Sequence, residues 1–178
     1  MKRIMVMGVS AGVGKSTFSK QLGEILNLNV HHLDTLYWKP GWVEASLEEF
    51  SQKQNEIVKE DEWIIEGNYS NTYDIRMKRA DTIIYLELPL RVCLYRVITR
   101  FLKNLGKNRS DMGEGCTEKL DYPFLKFIIT TYKSRKKKMR DRFQVFLKNG
   151  KDKKVYELKS KKEIREFLHN LAHDIQKG

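Results

Sequence analysis

The most informative stretch of the chain is the glycine turn Gly8-Val9-Ser10-Ala11-Gly12-Val13-Gly14-Lys15-Ser16-Thr17. It follows a short apolar run at 4–7 and opens an amphipathic segment at 18–23. When a strand, a glycine turn and a helix follow one another in this way, backbone N–H groups and the positive end of the helix converge on an anion. The sequence therefore predicts a site for the phosphates of a nucleoside triphosphate.

The residues expected to contact the phosphates are Gly12, Val13, Gly14, Lys15, Ser16 and Thr17. Lys15 would reach the β- and γ-phosphates of ATP, and the Ser16 hydroxyl would ligate Mg²⁺. The turn departs from the pattern G-x-x-x-x-G-K-S/T at its first position, where Val9 stands and Gly8 comes one residue early. Either the turn leaves the strand differently, or Val9 adopts the dihedral angles required there. The alternative to a phosphate site is an ordinary glycine turn with a solvated lysine.

Length and composition favour a single domain over residues 1–178. A hydrophobic content of 40% and only three prolines argue against disorder. No apolar window approaches the roughly 18 residues of a membrane span, and the N-terminal apolar run is too short for a signal peptide. We therefore expect a cytoplasmic protein. Cys93 and Cys116 provide neither a disulfide framework nor metal-ligand spacing.

The net charge of +11 favours anionic partners, which could be phosphorylated small molecules or nucleic acid. Seven of the ten residues at 133–142 are Lys or Arg. A solvated helix face is the simpler explanation of such a run. A phosphate-binding role for some of these arginines comes next, and nucleic-acid binding last.

Apolar β-prone runs alternate with helical patterns along the chain. Strands are predicted at 3–8, 28–32, 62–66, 81–87 and 153–158. Helices are predicted at 15–26, 46–60, 90–103, 121–147 and 160–175. Ser160 and Glu163 form the pattern of a capping box at the start of the last helix. This alternation predicts a three-layer α/β fold with a five-stranded, mostly parallel sheet covered on both faces.

Two stretches do not fit this pattern of core elements. Residues 34–45 are aromatic and rich in turn formers, and residues 104–120 are polar with three glycines. Long loops in compact domains are usually functional, so we expect a flap at about 34–60 and a lid at about 104–120. Both would lie at the carboxyl ends of the strands, where open α/β sheets bind ligands.

Beyond the glycine turn, two further motifs carry a resemblance. Ile64-Ile65-Glu66-Gly67 ends a predicted strand, and Leu88-Pro89 is followed by Arg96 and Arg100 on one helix face. These spacings resemble the adenylate-kinase-like P-loop kinases. The resemblance implies a P-loop NTPase fold of the nucleoside- or shikimate-kinase type. It also implies that Glu66 holds the Mg²⁺ water shell, and that Arg96 and Arg100 meet the nucleotide base and the transferred phosphoryl group.

A more specific resemblance extends over nearly the full length of the chain. It involves the glycine turn and the motifs His32-Leu33-Asp34-Thr35-Leu36-Tyr37-Trp38, Glu66-Gly67-Asn68-Tyr69-Ser70 and Arg79-Ala80-Asp81. With these motifs the chain resembles the bacterial group called DNA topology modulation proteins, a name that describes a phenotype rather than a reaction. The chain lacks the proline and arginine that follow the third-strand Asp-Gly of adenylate kinase, which argues against AMP as the acceptor.

The acceptor site is expected around Asp34, in a region that also resembles shikimate- and gluconate-type kinases. Asp34 could bind an acceptor hydroxyl and take its proton, or it could cap the following turn. Trp38 and Trp42 could stack on a planar substrate base, or they could simply be aromatic residues of the pocket wall or core. Arg76 could bind an acceptor phosphate or form a surface ion pair. His31 and His32 point to opposite faces of a strand, so one is expected to pack and the other to line the pocket.

These features lead to two hypotheses. The first is an ATP- and Mg²⁺-dependent phosphotransferase that acts on a small-molecule acceptor: a nucleotide, a nucleoside or a hydroxylated metabolite. Arg135 or Arg140 from the basic helix would join Lys15 at the phosphates when the lid closes. The second is an ATP-binding regulator associated with nucleic acid, and a kinase that acts on nucleic-acid ends lies between the two. A monomer and a homodimer are both compatible with the sequence.

Overall fold

The computed structural model describes residues 1–106 and 110–177. Its central element there is a parallel sheet of five strands in the order β2-β5-β1-β6-β7. The strands of this sheet are β1 (Arg3–Gly8), β2 (Val30–His32), β5 (Trp63–Glu66), β6 (Thr82–Leu86) and β7 (Lys154–Leu158). The sheet confirms the predicted α/β class, since parallel strands need helical crossovers between them.

Seven helices connect and cover these strands in the described part of the chain. They are α1 (Lys15–Leu26), α2 (Leu33–Tyr37), α3 (Leu47–Ile57), α4 (Tyr73–Arg79), α5 (Leu90–Lys103), α6 (Tyr122–Lys148) and α7 (Lys161–Lys177). The capping box of α7 is present, with the Glu163 N–H donating to Ser160 Oγ at 3.1 Å. The bounds of β1, α1 and α5 are those predicted, and the other predicted elements agree within a few residues.

Two local predictions were wrong. Residues 34–45 form the short helix α2 and a hairpin of β3 (Trp38–Lys39) and β4 (Val43–Glu44), rather than an irregular loop. The helix α4 was not predicted at all. All four of these elements are too short for periodicity to identify them. Residues 107–109 of the predicted lid lie outside the described residues.

The sheet register places the carboxyl ends of β2, β5 and β1 side by side. His32, the last residue of β2, pairs with Glu66, the last residue of β5, and Glu66 pairs with Val6 of β1. β1 is buried from Ile4 onward, and β5 and β6 are buried throughout. Runs of this kind are typical of strands covered on both faces. The polar side chains of His32 and Glu66 therefore lie together at the carboxyl edge of the sheet.

Along 1–106 and 110–177, no helix has both the length and the apolar character needed to cross a membrane.

Candidate active site

The phosphate loop joins β1 to α1. Gly12 and Gly14 have φ values of 75° and 103°, in the left-handed region that favours glycine. A Cβ on Gly12 would lie 2.3 Å from the Cys93 carbonyl oxygen, so the loop is pressed against α5. Gly14 is the N-cap residue of α1, and no described side chain caps this helix end. The first N–H groups of α1 therefore remain directed at the space above the loop, where an anion would bind.

The structure shows how the loop tolerates Val9. Its φ is not positive, its side chain is fully buried, and its N–H donates to the Leu86 carbonyl at 2.9 Å. The restricted position is Gly8, where a Cβ would lie 2.5 Å from Val13 Cγ1. The side-chain amide of Asn68 also bonds both backbone groups of Gly8, at 3.0 and 2.6 Å. Val9 thus stands at the position of the usual glycine without a positive φ, and the close contact that requires glycine falls at Gly8.

Glu66 lies at the centre of a buried polar cluster. Its carboxylate is 3.4 Å from Lys15 Nζ, accepts from Ser16 Oγ at 3.2 Å and bonds His32 Nδ1 at 2.9 Å. Burial alone would raise the pKa of Glu66, but the Lys15 charge and the His32 hydrogen bond hold it below its ordinary value. Glu66 is therefore ionised beside the phosphate loop.

Ser16 and Glu66 fit the oxygen donors that Mg²⁺ prefers. Among the described residues, no group of three or more His, Cys, Asp or Glu side chains could hold a metal ion. A magnesium ion held by Ser16 and Glu66 would complete its coordination with phosphate oxygens and water, as Mg²⁺ usually does in nucleotide sites.

Asp34 lies in the first turn of α2, and its Oδ1 accepts the Tyr69 hydroxyl at 2.6 Å. Burial raises the pKa of Asp34, and the charge of Glu66 adds to the rise, while the Tyr69 hydrogen bond and Lys15 oppose it. A carboxylate with a raised pKa is a stronger base than an exposed one. The bond to Tyr69 also orients the carboxylate, which is not engaged in capping α2.

A single cavity of about 1540 Å³ is lined both by the phosphate loop and by Asp34. A pocket for one small ligand usually measures roughly 300–1,000 Å³, so this cavity has room for two molecules. The predicted site residues that line it are Gly12, Val13, Gly14, Lys15, Ser16, Thr17, Asp34, Trp38, Glu66, Arg96, Arg100 and Arg135. Arg76, Arg140 and the two histidines are not part of its lining.

Arg76 was expected to bind an acceptor phosphate or to form a surface ion pair, and its environment agrees with neither. Its side chain is fully buried, so it forms no surface ion pair. The guanidinium donates to Gln54 Oε1 at 2.6 Å, to Thr72 Oγ1 at 3.3 Å and to the Tyr69 carbonyl at 3.0 Å. Burial lowers the pKa of Arg76 to about 9, which still leaves it protonated at pH 7. Arg76 therefore holds the backbone of Tyr69 from behind the cavity, away from any acceptor phosphate.

The basic helices place their arginines differently. Arg96 donates to the Val13 carbonyl at 2.9 Å and lies across the phosphate loop, whereas Arg100 pairs with Glu118 of the lid at 2.8 Å. Arg135 stacks on Phe127, with its guanidinium carbon 4.5 Å from the ring centre. Arg140 is exposed and outside the cavity. Of the two alternatives on α6, Arg135 is the one placed at the site.

The described part of the lid packs against the flap. The Trp42 indole N–H donates to the Thr117 carbonyl at 3.1 Å, and Cys116 Sγ donates to the Lys39 carbonyl at 3.2 Å. The backbone N–H of Gly41 also donates to the Gly115 carbonyl at 3.5 Å. The flap and lid thus meet above the cavity.

Sequence reasoning missed three supporting contacts. His32 bonds Glu66, Asn68 clamps Gly8, and Tyr69 holds Asp34. His32 packs as one of the two histidines was expected to, but neither ring lines the cavity. The signal that could have revealed Asn68 and Tyr69 is their position directly after the strand that ends in Glu66.

No family model matches the chain, and no curated protein matches it in sequence. Solved structures do match its fold. Shikimate kinase from Acinetobacter baumannii is 12% identical, with a TM-score of 0.53 over 99% of this chain and 94% of that chain. Shikimate kinase from Bacteroides thetaiotaomicron is 18% identical, with a TM-score of 0.52 over 98% of each chain. A gluconokinase from Sinorhizobium meliloti is 14% identical, with a TM-score of 0.52 over 98% of this chain and 95% of that chain. The chain has the P-loop kinase fold.

Proposed function

We propose that this protein is an ATP-dependent kinase that transfers the γ-phosphoryl group to a hydroxyl of a small molecule. The observation that carries the proposal is that Asp34 and the phosphate loop line the same cavity. The names of the fold neighbours, shikimate kinase and gluconokinase, support phosphoryl transfer to a small hydroxylated acceptor. The cavity is large enough for ATP and such an acceptor together.

In this mechanism Lys15 and the loop N–H groups bind the β- and γ-phosphates. The Mg²⁺ ion held by Ser16 and Glu66 would neutralise phosphate charge. The acceptor oxygen forms a bond to the γ-phosphorus while the bond to the β-phosphate oxygen breaks and ADP leaves. Asp34 takes the hydroxyl proton on Oδ2, because Tyr69 engages Oδ1.

Other groups stabilise the transferred phosphoryl group and exclude water. Arg96 and Arg100 line the cavity beside the phosphate loop and would neutralise charge that develops during transfer. The contacts between lid and flap would limit access of water, which would otherwise hydrolyse ATP. In this proposal, one set of residues binds the donor and another set binds the acceptor.

The test begins with a thermal-shift screen of nucleosides, sugars and other hydroxylated metabolites in ATP and Mg²⁺, since ligands that bind the folded state raise its stability. ADP formation is then measured with each hit. Asp34→Asn should lower kcat by about 10²- to 10⁴-fold while ATP affinity is retained. Lys15→Ala should abolish tight ATP binding, whereas Lys154→Ala, an exposed control on β7, should not. Unchanged nucleotide affinity in Lys15→Ala would refute the proposed site.

A second candidate is nucleic-acid binding, supported by the exposed basic residues Lys133, Lys137, Lys138 and Arg140 of α6. The resemblance to DNA topology modulation proteins points the same way. Fluorescence anisotropy with a labelled DNA duplex would test it, because affinity should fall steeply with salt as counterions are released. Absence of binding at low salt would remove this candidate.

A further inference from the structure

We infer that the acceptor carries a planar ring and no negative charge, so that the site takes a nucleoside-like hydroxyl compound in preference to a nucleotide or a sugar acid. The inference rests on the proposed function and narrows its substrate class. It concerns the part of the cavity that surrounds Asp34. We call this part the acceptor wall and define it as the cavity-lining residues within 34–44 and 68–71.

The acceptor wall is aromatic. Trp38, Trp42 and Tyr69 all line the cavity, and the rings of Trp38 and Trp42 meet edge to face with their centres 5.3 Å apart. Tyr37 packs behind them, 5.0 Å from Trp38 and 4.8 Å from Tyr69. Rings held in this way present fixed apolar faces, to which planar ligand rings bind by stacking. A planar acceptor can therefore bury its ring here while its hydroxyl meets Asp34.

The charges of the acceptor wall are negative. Its cavity-lining members include the carboxylates of Asp34 and Glu44 and no lysine or arginine; Lys39 lies in the first of these ranges but does not line the cavity. Arg76 does not change this balance, because its guanidinium is buried behind Tyr69 and donates to protein groups. A phosphate or carboxylate on the acceptor would meet like charges in a partly desolvated space.

The described part of the lid brings further charged groups to the cavity. Asp111 is buried there, and its charge is one of those that raise the pKa of Asp34. Lys119 also lines the cavity and pairs with Asp121 at 3.1 Å. The arginines suited to phosphate, Arg96 and Arg100, belong to α5, and Arg96 contacts the phosphate loop itself. Arg96 therefore belongs to the donor end of the cavity, whereas the acceptor wall itself provides carboxylates and aromatic rings.

The backbone of the hairpin indicates that this aromatic wall is built for binding. Trp42 has a φ of 65°, a left-handed conformation that bulky residues rarely adopt. Its indole N–H bond to the Thr117 carbonyl helps to hold it there. Strained residues of this kind cluster at ligand sites, where the surrounding structure fixes them. The strain places the Trp42 ring against Trp38 at the cavity.

The test measures initial rates of ADP formation by the full chain with saturating ATP and Mg²⁺. The acceptors are adenosine, guanosine, cytidine and thymidine, each beside its 5′-monophosphate, together with gluconate and shikimate. A 5′-monophosphate has no free 5′-hydroxyl, so the 3′-monophosphates are included to separate the effect of charge from that of the lost hydroxyl. We expect at least one nucleoside to exceed every anionic acceptor by about tenfold or more in kcat/KM. Preference for a monophosphate or a sugar acid, or no turnover of any nucleoside, overturns the inference.

The variant Trp42→Gly removes the ring while glycine accepts the positive φ, so the fold is retained. It should raise KM for the nucleoside by about ten- to hundredfold and leave the Kd of ATP unchanged. The matched control is Leu47→Ala, which removes an exposed apolar side chain outside the cavity and should leave KM unchanged. Unchanged KM in Trp42→Gly overturns the stacking role.

The failure of this inference differs from failure of the proposed function. If calorimetry detects ATP binding that Lys15→Ala abolishes, and a sugar acid or a nucleotide is then phosphorylated, only the acceptor class is wrong. If ATP does not bind, the proposed function itself is wrong, and the acceptor class falls with it.

Discussion

Replacing Glu66 by Gln keeps the shape of the side chain and removes the charge that faces Lys15. Lys15 Nζ and Glu66 Oε1 are 3.4 Å apart. At an effective dielectric constant of about 20, two unit charges at this distance attract by about 5 kcal/mol. The Lys15 side chain is 16% exposed toward the cavity, so water recovers part of this energy. We expect Glu66→Gln to lower the free energy of unfolding by about 1–3 kcal/mol, between the values for surface and fully buried pairs.

The same change should affect ATP binding in opposite directions with and without magnesium. In EDTA, the variant's Lys15 has no carboxylate partner and the phosphates meet no adjacent negative charge, so ATP should bind more tightly. If about 1–3 kcal/mol of the Lys15–Glu66 attraction becomes additional free energy of ATP binding, the Kd of ATP falls by about 5- to 150-fold. With Mg²⁺ present, the loss of the Glu66 charge, which would help to hold the ion, should remove most of the stimulation of binding by the metal.

Isothermal titration calorimetry with ATP in EDTA and in Mg²⁺ measures both effects, and thermal unfolding measures the loss of stability. For a chain of this size, about 1–3 kcal/mol corresponds to a fall in Tm of about 2–12 °C. Glu62→Gln is the matched control, because Glu62 pairs with Lys2 at 2.8 Å on the surface and should contribute nothing measurable. An unchanged Tm together with weaker ATP binding in EDTA would refute the assigned role of the Lys15–Glu66 pair.

Three further predictions concern the acceptor side, the phosphate loop and the buried arginine. Tyr69→Phe removes a hydrogen bond that lowers the pKa of Asp34, so the acidic limb of the kcat–pH profile should move to higher pH. A shift of this limb to lower pH would contradict the role of Asp34 as the base. In Gly12→Ala, the new Cβ would lie 2.3 Å from the Cys93 carbonyl oxygen, and alanine would have to adopt a positive φ. ATP binding should therefore be lost and Tm should fall, and normal ATP affinity by calorimetry would contradict the loop geometry. Arg76→Lys keeps the charge but loses the planar guanidinium that holds Tyr69, so kcat should fall by about 10- to 100-fold while the Kd of ATP is unchanged. If kcat and ATP affinity fall equally, the effect is general destabilisation.

The phosphate loop and the elements beside it could be predicted from the sequence because their signals are local. The spacing of Gly12, Gly14, Lys15 and Ser16 requires a strand before it and a helix after it, and both are present. Glu66 was assigned to the site through the resemblance to adenylate-kinase-like P-loop kinases, and its strand ends at the same edge of the sheet as β1. These predictions depend on backbone chemistry within a few residues and on sheet topology.

Arg76 could not be placed because its environment depends on residues far away in the sequence. Its partner Gln54 comes from α3, 22 positions earlier, and nothing in the local pattern indicates that contact. An arginine is rarely buried without a carboxylate, so a surface or ligand-binding position was the reasonable expectation. The hairpin at 38–44 was missed for a related reason, since its conformation depends on contacts with the lid and on the strained backbone of Trp42.

The segment Glu66-Gly67-Asn68-Tyr69 connects the two halves of the site. Glu66 contacts Lys15 and Ser16 of the phosphate loop, and Asn68 clamps the first residue of that loop. Tyr69, one residue further, holds Asp34, the proposed base for the acceptor. Because these residues are consecutive, a displacement of the segment would move the donor and acceptor groups together. The distance between them is therefore set by one short stretch of backbone, which Arg76 anchors from behind at the Tyr69 carbonyl. This arrangement explains why a fully buried arginine with neutral partners belongs to the architecture of a cavity that it does not line.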